Sequence, residues 1–202
     1  MYRLVIFDLD GVLVDACEWH KQSLNLALQK ISNYSISDME HYATYNGLPT
    51  KVKLKKLAEL NLIKKQDIDE IEKLKQTYTI QIINKHAELR AEKIELMEFL
   101  KFNNLLIGCY TNSVRPTAEL MLKKTGIYHY FDIIVTNNDV LNSKPNPEGY
   151  INIINKFNLQ PQEVIIIEDS PKGIEAAEKT NAKVIKVSKP NEVTRSIFKG
   201  LL

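Results

Sequence analysis

The chain has 202 residues, of which 44% are hydrophobic and 26% charged, and its formal net charge is +2. This composition is typical of a folded protein with a buried core, and so small a charge excess argues against nucleic acid as a partner. We expect no membrane association, because no apolar run approaches the length of a membrane-spanning helix. Because two aspartates interrupt the apolar amino terminus, we expect no signal peptide. Cys17 and Cys109 lie far apart without metal-type spacing, and we therefore expect a cytoplasmic protein.

The first predicted element is a short buried strand, Leu4-Val5-Ile6-Phe7, followed at once by two carboxylates. Asp8 and Asp10 are separated by one residue, and Gly11 permits a sharp turn that brings both acids toward one point. Carboxylates at the end of an apolar strand are costly to desolvate unless a cation or a proton balances them. The alternative is an ordinary strand followed by an Asp-Gly turn, and this stretch alone does not decide between them.

After Asp15 the apolar spacing becomes helical, with Leu24, Leu28 and Ile31 on one face. From residue 36 to about residue 86 the pattern contains only helices and loops. A turn at Asn46-Gly47 is followed by a helix for which Thr50 is the expected N-cap. We therefore predict an all-helical insertion, and we expect most of its lysines between residues 51 and 65 to be solvated.

Strands alternate with helices from about Glu92 to the carboxyl terminus. Four further strands are predicted, over residues 105–110, 133–135, 164–167 and 182–187. The helix after the second strand is expected to stop at Gly126, and the helix after the fourth to begin at Ser170 and Pro171. Such alternation predicts a parallel sheet, and in parallel sheets the functional site forms at the carboxyl ends of the strands.

Polar residues at those strand ends form one predicted cluster. Taken singly, each has an ordinary explanation, such as a helix cap, a solvated lysine or an acid favoured by a helix dipole. Together, several acids, a hydroxyl and a lysine predict a Mg²⁺ site beside a phosphoryl group, because Mg²⁺ prefers a few carboxylates and a phosphoryl group suits a lysine and a hydroxyl. The members are Asp8, Asp10, Thr111, Asn112, Lys144, Glu168 and Asp169.

These residues lie in four stretches whose sequence and order resemble the haloacid dehalogenase-like superfamily, specifically its phosphatases and its β-phosphoglucomutase-like branch. The stretches are DLDGVLVD from Asp8, Thr111-Asn112-Ser113, Ser143-Lys144-Pro145-Asn146-Pro147, and EDSPKGI from Glu168. The resemblance spans nearly the whole chain. It implies an α/β fold, with a Rossmann-like parallel-sheet core (residues 1–15 and 87–202) and an inserted all-helical cap (residues 16–86).

The resemblance also implies roles. Asp8 would attack phosphorus to form an aspartyl-phosphate, and Asp10 would protonate the leaving oxygen and then activate water. Mg²⁺ would be held by Asp8, Asp169, the backbone carbonyl of Asp10 and Glu168. Thr111, the amides after it (Asn112 among them) and Lys144 would bind the phosphoryl oxygens of a small phosphorylated substrate.

Two departures from the family pattern bear on the substrate. The cap loop of the β-phosphoglucomutase branch usually has an arginine where this chain has Thr50, and the proline-glycine pair that commonly precedes the helix before the second strand is absent from residues 89–92. Both make a mutase less expected than a phosphomonoesterase. A phosphomutase is kept as the alternative, with a non-catalytic binding protein behind it.

Other activities of the superfamily fit less well. Dehalogenases lack the second acid, which is present here as Asp10, and phosphonate hydrolases generally lack it too. His20 follows the acids on the apolar face of the first helix, and a neutral core histidine is the favoured interpretation over a catalytic one. The sequence leaves the substrate and the oligomeric state open.

Overall fold

The computed structural model describes all residues from 1 to 202, and the chain divides into two compact units. One unit contains residues 1–15 and 88–202, and the other contains residues 16–87. We call them the sheet unit and the helical unit.

The sheet unit contains five strands, all parallel, as the sequence predicts. They lie in the order β3-β2-β1-β4-β5, so β1 is central and is paired on both sides. The strands are β1 (Leu4–Phe7), β2 (Leu106–Tyr110), β3 (Ile133–Val135), β4 (Val164–Glu168) and β5 (Lys183–Lys186).

Continuous apolar runs account for the two central strands. Every residue of β1 and of β4 is buried, as expected for strands covered on both faces. In the register of the sheet, Phe7 lies beside Cys109 of β2 on one side and beside Ile167 of β4 on the other. The residues that follow these three positions therefore emerge together at the carboxyl edge of the sheet.

Helices connect the strands and form the second unit. The helical unit contains α1 (Cys17–Ser32), α2 (Asp38–Glu40), a π-helix (His41–Tyr45), α3 (Thr50–Glu59) and α4 (Ile68–His86). The sheet unit contains α5 (Ala91–Phe102), α6 (Arg115–Lys124), α7 (Glu148–Lys156) and α8 (Pro171–Glu178). The prediction that residues 36–86 contain no strand is confirmed.

Local chemistry explains where several helices begin and end. Ser170 caps α8 by accepting a hydrogen bond from the N–H of Gly173 at 3.1 Å, and Pro171 is the first helical residue, as predicted. Gly126, with φ +81°, follows the end of α6. The prediction for Thr50 is wrong by one position: Pro49 is the N-cap, and Thr50 is the first helical residue.

The helical unit has its own apolar core, which α1, α3 and α4 share. Leu24, Leu28, Leu54, Leu57 and Ile71 are at most 1% exposed there. Most lysines of residues 51–65 are exposed as expected, but Lys53 is buried.

Three smaller predictions can also be compared with the structure. Both cysteines are free, and Cys109 is a buried core residue of β2. His20 is partly exposed rather than a core histidine, and its Nδ1 lies 3.2 Å from Lys75 Nζ. None of the helices has the length and apolar character that crossing a bilayer requires.

Candidate active site

Three carboxylates meet at the carboxyl edge of the two central strands. Asp8 directly follows β1, Glu168 ends β4, and Asp169 follows it. Because β1 and β4 are neighbours in register, these side chains converge, and each offers an oxygen within 4.8 Å of the other two. Asp8 and Glu168 are buried, and Asp169 is partly exposed. The structure thus brings together acids that lie 160 residues apart in the sequence.

The backbone turn after Asp10 must pass very close to this group. Gly11 adopts φ +95°, in the left-handed region that disfavours a side chain. A Cβ atom built there would overlap the carboxylate of Asp169. Glycine is therefore required at this position for two independent reasons.

A single buried ammonium group faces the carboxylates. Lys144 lies in the loop between β3 and α7, and its side chain is 4% exposed. Its Nζ donates to Asp8 Oδ1 at 2.6 Å, to Glu168 Oε1 at 2.6 Å and to the Tyr110 carbonyl at 2.8 Å. All three ammonium protons are thereby used, so the position of the charge is defined.

Three acids share this one cation, which leaves an excess of two negative charges if all three are ionised. Burial and the neighbouring charges of Glu168, Asp169 and Asp10 raise the pKa of Asp8, against the opposing effect of Lys144. Burial and the charge of Glu168 raise the pKa of Asp169 to about 7. Burial lowers the pKa of Lys144, but the charges of Asp8 and Glu168 outweigh it, so that group stays protonated. A bound divalent cation would balance the excess.

The donor set fits a hard cation. Asp169 Oδ1 is buried and has no hydrogen-bond partner, and such an orphaned oxygen is costly unless something coordinates it. Glu168 differs, because both of its oxygens already accept hydrogen bonds. Asp8 and Asp169 could therefore hold a metal ion directly, whereas coordination by Glu168 would displace one of its hydrogen bonds.

Asp10 is held from the opposite side, by hydroxyl groups that follow β2. Ser113 Oγ donates to Asp10 Oδ2 at 2.7 Å, and Thr111 Oγ1 lies 3.3 Å from the same oxygen. The backbone N–H of Ser113 in turn donates to Thr111 Oγ1 at 3.0 Å. Asp10 thus accepts hydrogen bonds from hydroxyl groups, whereas Asp8 accepts one from the Lys144 ammonium, so the two aspartates of the motif have different chemical surroundings.

The side chain of Asn112, a residue whose backbone amide is predicted to bind the phosphoryl group, contacts the loop that carries Lys144. Its Oδ1 accepts from the backbone N–H of Lys144 at 3.1 Å, and its Nδ2 lies 3.4 Å from the carbonyl oxygen of the same residue. The side chain thus ties the loop that carries Lys144 to the end of β2.

Two contacts of the site were missed by the sequence reasoning. Ser113 belongs to a quoted motif, but nothing in its spacing indicates that it reaches Asp10. Tyr150 lies on the buried face of α7, and its hydroxyl donates to Glu168 Oε1 at 2.6 Å. Tyrosine rather than phenylalanine on a buried helix face is the available signal, because a buried phenol usually has a partner.

Comparison with known proteins agrees with this geometry. The family model for haloacid dehalogenase-like hydrolases matches residues 5–187, which is most of the chain and includes every residue of the cluster and all strand residues except Leu4. The chain therefore belongs to the haloacid dehalogenase-like hydrolase family. Its curated relatives include enzymes named as phosphatases, which supports phosphatase activity for this chain.

Two curated relatives show the range of names. A phosphorylated carbohydrates phosphatase of Thermotoga maritima is 29% identical over 176 residues, which cover 86% of this chain and 79% of the relative. A fructose-1-phosphate phosphatase of Escherichia coli is 25% identical over 181 residues, covering 87% of this chain and 91% of the relative.

Solved structures of low sequence identity share the fold. A β-phosphoglucomutase from Clostridium difficile has a TM-score of 0.85 at 23% identity, over 98% of this chain and 96% of that one. A variant of CbbY from Rhodobacter sphaeroides, crystallised with xylulose-1,5-bisphosphate, has a TM-score of 0.84 at 19% identity, over 92% of this chain and 86% of that one. The prediction of a parallel-sheet core with a helical insertion is confirmed.

Proposed function

We propose that this protein is a Mg²⁺-dependent phosphomonoesterase that acts on a small phosphorylated metabolite through an aspartyl-phosphate on Asp8. The single observation that carries the proposal is the group of three converging carboxylates with one fully engaged lysine. Phosphoryl transfer requires this combination of a nucleophile, charge neutralisation and positioning.

The different surroundings of the two aspartates support these roles. Asp8 lies against Lys144, whose charge would stabilise both the ionised nucleophile and the negative oxygens of a phosphoryl group. Asp10 accepts hydrogen bonds from hydroxyl groups, which would orient it to give a proton to the leaving oxygen and later to take one from water.

Mg²⁺ would be held by Asp8, Asp169 and the backbone carbonyl of Asp10, with Glu168 as a further candidate ligand. When bound, the ion would neutralise charge on the phosphoryl oxygens. Thr111 and Lys144 would bind the same oxygens, while Asn112 would hold the loop of Lys144 in place.

Sugar phosphates are the first substrates to test, because relatives are named as phosphatases of phosphorylated carbohydrates and of fructose 1-phosphate. The substrate would be small. We propose a cytoplasmic location and no nucleic-acid or membrane partner.

The test is phosphate release from a panel of sugar phosphates and other small phosphate esters, with Mg²⁺ and with a chelator. We expect Mg²⁺-dependent release that falls by at least about a thousandfold in Asp8→Asn, because the substitution removes the nucleophile. Asp15→Asn is the matched control, since it alters an exposed acid of the same motif.

Full release by Asp8→Asn would contradict the proposed nucleophile. Conversion of one sugar-phosphate isomer into another, with a bisphosphate primer and without phosphate release, would replace hydrolysis by phosphomutase chemistry.

A further inference from the structure

Tyr150 carries a hydroxyl group that its packing does not require. The residue lies on α7, is fully buried, and packs edge-to-face on Tyr110 with ring centroids 4.8 Å apart. Phenylalanine would fill the same space. The added oxygen must therefore gain a hydrogen bond to offset its desolvation, and it does so with Glu168 at 2.6 Å.

That hydrogen bond goes to the same oxygen that Lys144 uses. Glu168 Oε1 accepts from Tyr150 Oη and from Lys144 Nζ, each at 2.6 Å. The other oxygen, Oε2, accepts from the backbone N–H of Asp169 at 3.1 Å. Both ends of the carboxylate are thus oriented, and Tyr150 is the one side chain besides Lys144 that holds Oε1.

The ammonium of Lys144 is shared between two acids. It lies 2.6 Å from Asp8 and 2.6 Å from Glu168, and it also lies over the rings of Tyr110 and Tyr150, at 4.7 and 5.1 Å from their centroids. A donor that satisfies part of the charge on Glu168 reduces the pull of that carboxylate on Lys144. It therefore favours contact between Lys144 and Asp8.

We propose that Tyr150 is a positioning residue: its phenol holds Glu168 and, through it, sets the place of the Lys144 ammonium beside Asp8. The inference rests on the proposed function, because it assigns a role within the same reaction. No hydrogen bond joins Tyr150 to Asp8, so its hydroxyl would act through Glu168.

The neighbouring Tyr110 provides a matched reference. Its ring belongs to the same buried aromatic pair, and no hydrogen bond joins its hydroxyl to Glu168. Tyr110→Phe therefore removes one phenol oxygen from this pair and leaves the hydrogen bond to Glu168 intact, whereas Tyr150→Phe removes a phenol oxygen together with that hydrogen bond. The difference between the two variants isolates the contact with Glu168.

The experiment measures kcat and KM of the two variants on the best substrate of the panel, together with their melting temperatures. The free energy of a hydrogen bond to a charged group is large enough that its loss changes a rate by about tenfold. We expect kcat of Tyr150→Phe to be about tenfold below that of Tyr110→Phe, with KM values within about twofold of each other. A purely structural role would instead lower the melting temperature and leave kcat of the folded enzyme equal.

A second readout does not depend on turnover. In ¹⁵N spectra of lysine side chains, the buried Lys144 ammonium should give a signal that is absent from Lys144→Arg. We expect that signal in the native protein and in Tyr110→Phe, and its displacement or broadening in Tyr150→Phe. Equal kcat values and an unchanged signal in Tyr150→Phe would overturn the inference. If the native protein releases no phosphate, the proposed function fails and the Lys144 signal alone decides whether Tyr150 positions that group.

Discussion

At the scale of single residues, two aspartates that are only one residue apart in the sequence have different hydrogen-bond partners in the site. Asp8 belongs to a buried network with Lys144, whereas Asp10 accepts its bonds from Ser113 and Thr111. A nucleophile needs its negative charge retained, and an acid-base group must exchange a proton, so different surroundings suit the two tasks.

Replacement of Ser113 tests the surroundings of Asp10. Ser113→Ala removes the donor at 2.7 Å, which leaves the carboxylate less well oriented toward a leaving group. We expect kcat to fall by about five- to tenfold, with KM nearly unchanged. Ser113→Thr, which keeps the hydroxyl, should restore most of the rate. An Ala variant with full kcat would show that Ser113 does not position Asp10.

Several residue-scale features could not be predicted from the sequence, because they depend on contacts between distant positions. Tyr150 and Ser113 are separated from their partners by 18 and 103 residues. Lys93 is fully buried and donates to the backbone carbonyls of Pro190 and Val193, at 2.5 and 2.8 Å. A helical pattern in the sequence cannot predict which backbone carbonyl groups the fold will bring to a buried lysine.

At the scale of elements, the turn from β4 into α8 joins the acidic pair to a well-capped helix. Ser170 and Pro171 start the helix, and Gly173 in its first turn lies against the Glu168 carboxylate. A Cβ atom at Gly173 would overlap the Glu168 carboxylate. The helix can therefore approach the site only because this position lacks a side chain.

Gly173→Ala tests that close approach, because its expected effect on the free energy of unfolding is opposite to the usual effect of replacing glycine by alanine in a helix. In a helix interior, alanine is ordinarily more favourable than glycine by about 1 kcal/mol. Here we expect the substitution to lower the free energy of unfolding by about 1 to 3 kcal/mol, as overpacking does, and to reduce kcat because Glu168 must move. Urea denaturation and measurement of kcat would test both expectations. Glu175→Ala, at an exposed position of the same helix, is the control. A stabilised, fully active variant would contradict the account.

The strands and their order of appearance were predictable, because short apolar runs followed by polar residues mark buried parallel strands. Helix starts with a capping serine and a following proline, as at Ser170, were predictable too. The N-cap of α3 was predicted one residue too late. Threonine is a common N-cap residue and proline is not, so the sequence favoured Thr50, whereas the N-cap in the structure is Pro49.

At the scale of the whole molecule, we expect the excess of negative charge at the edge of the sheet to make the free energy of unfolding depend on pH and on Mg²⁺. The pKa of Asp169 is raised to about 7, so the folded protein holds this proton more tightly than the unfolded chain does. Without metal, stability should therefore fall as pH rises from about 4 to about 7. Mg²⁺ should reverse this effect by coordinating the ionised group.

Thermal unfolding of the native protein and of Asp169→Asn at pH 8 checks this coupling. In chelator, we expect the variant to melt at the same temperature as the native protein or above it, since it lacks the repelled carboxylate. At about a hundred times the dissociation constant, Mg²⁺ should stabilise the native protein by about 2.7 kcal/mol and the variant far less. Equal stabilisation of both proteins would place the metal elsewhere.

The central claim is that Asp8 carries the phosphoryl group during turnover. The most direct measurement is mass spectrometry of the amino-terminal peptide after acid quenching during turnover of the best substrate with Mg²⁺. The account predicts a mass increase of one phosphoryl group on the peptide that contains Asp8, absent in Asp8→Asn and in chelator. A phosphoryl group on another residue, or turnover with Asp8 unmodified at every time sampled, would contradict it.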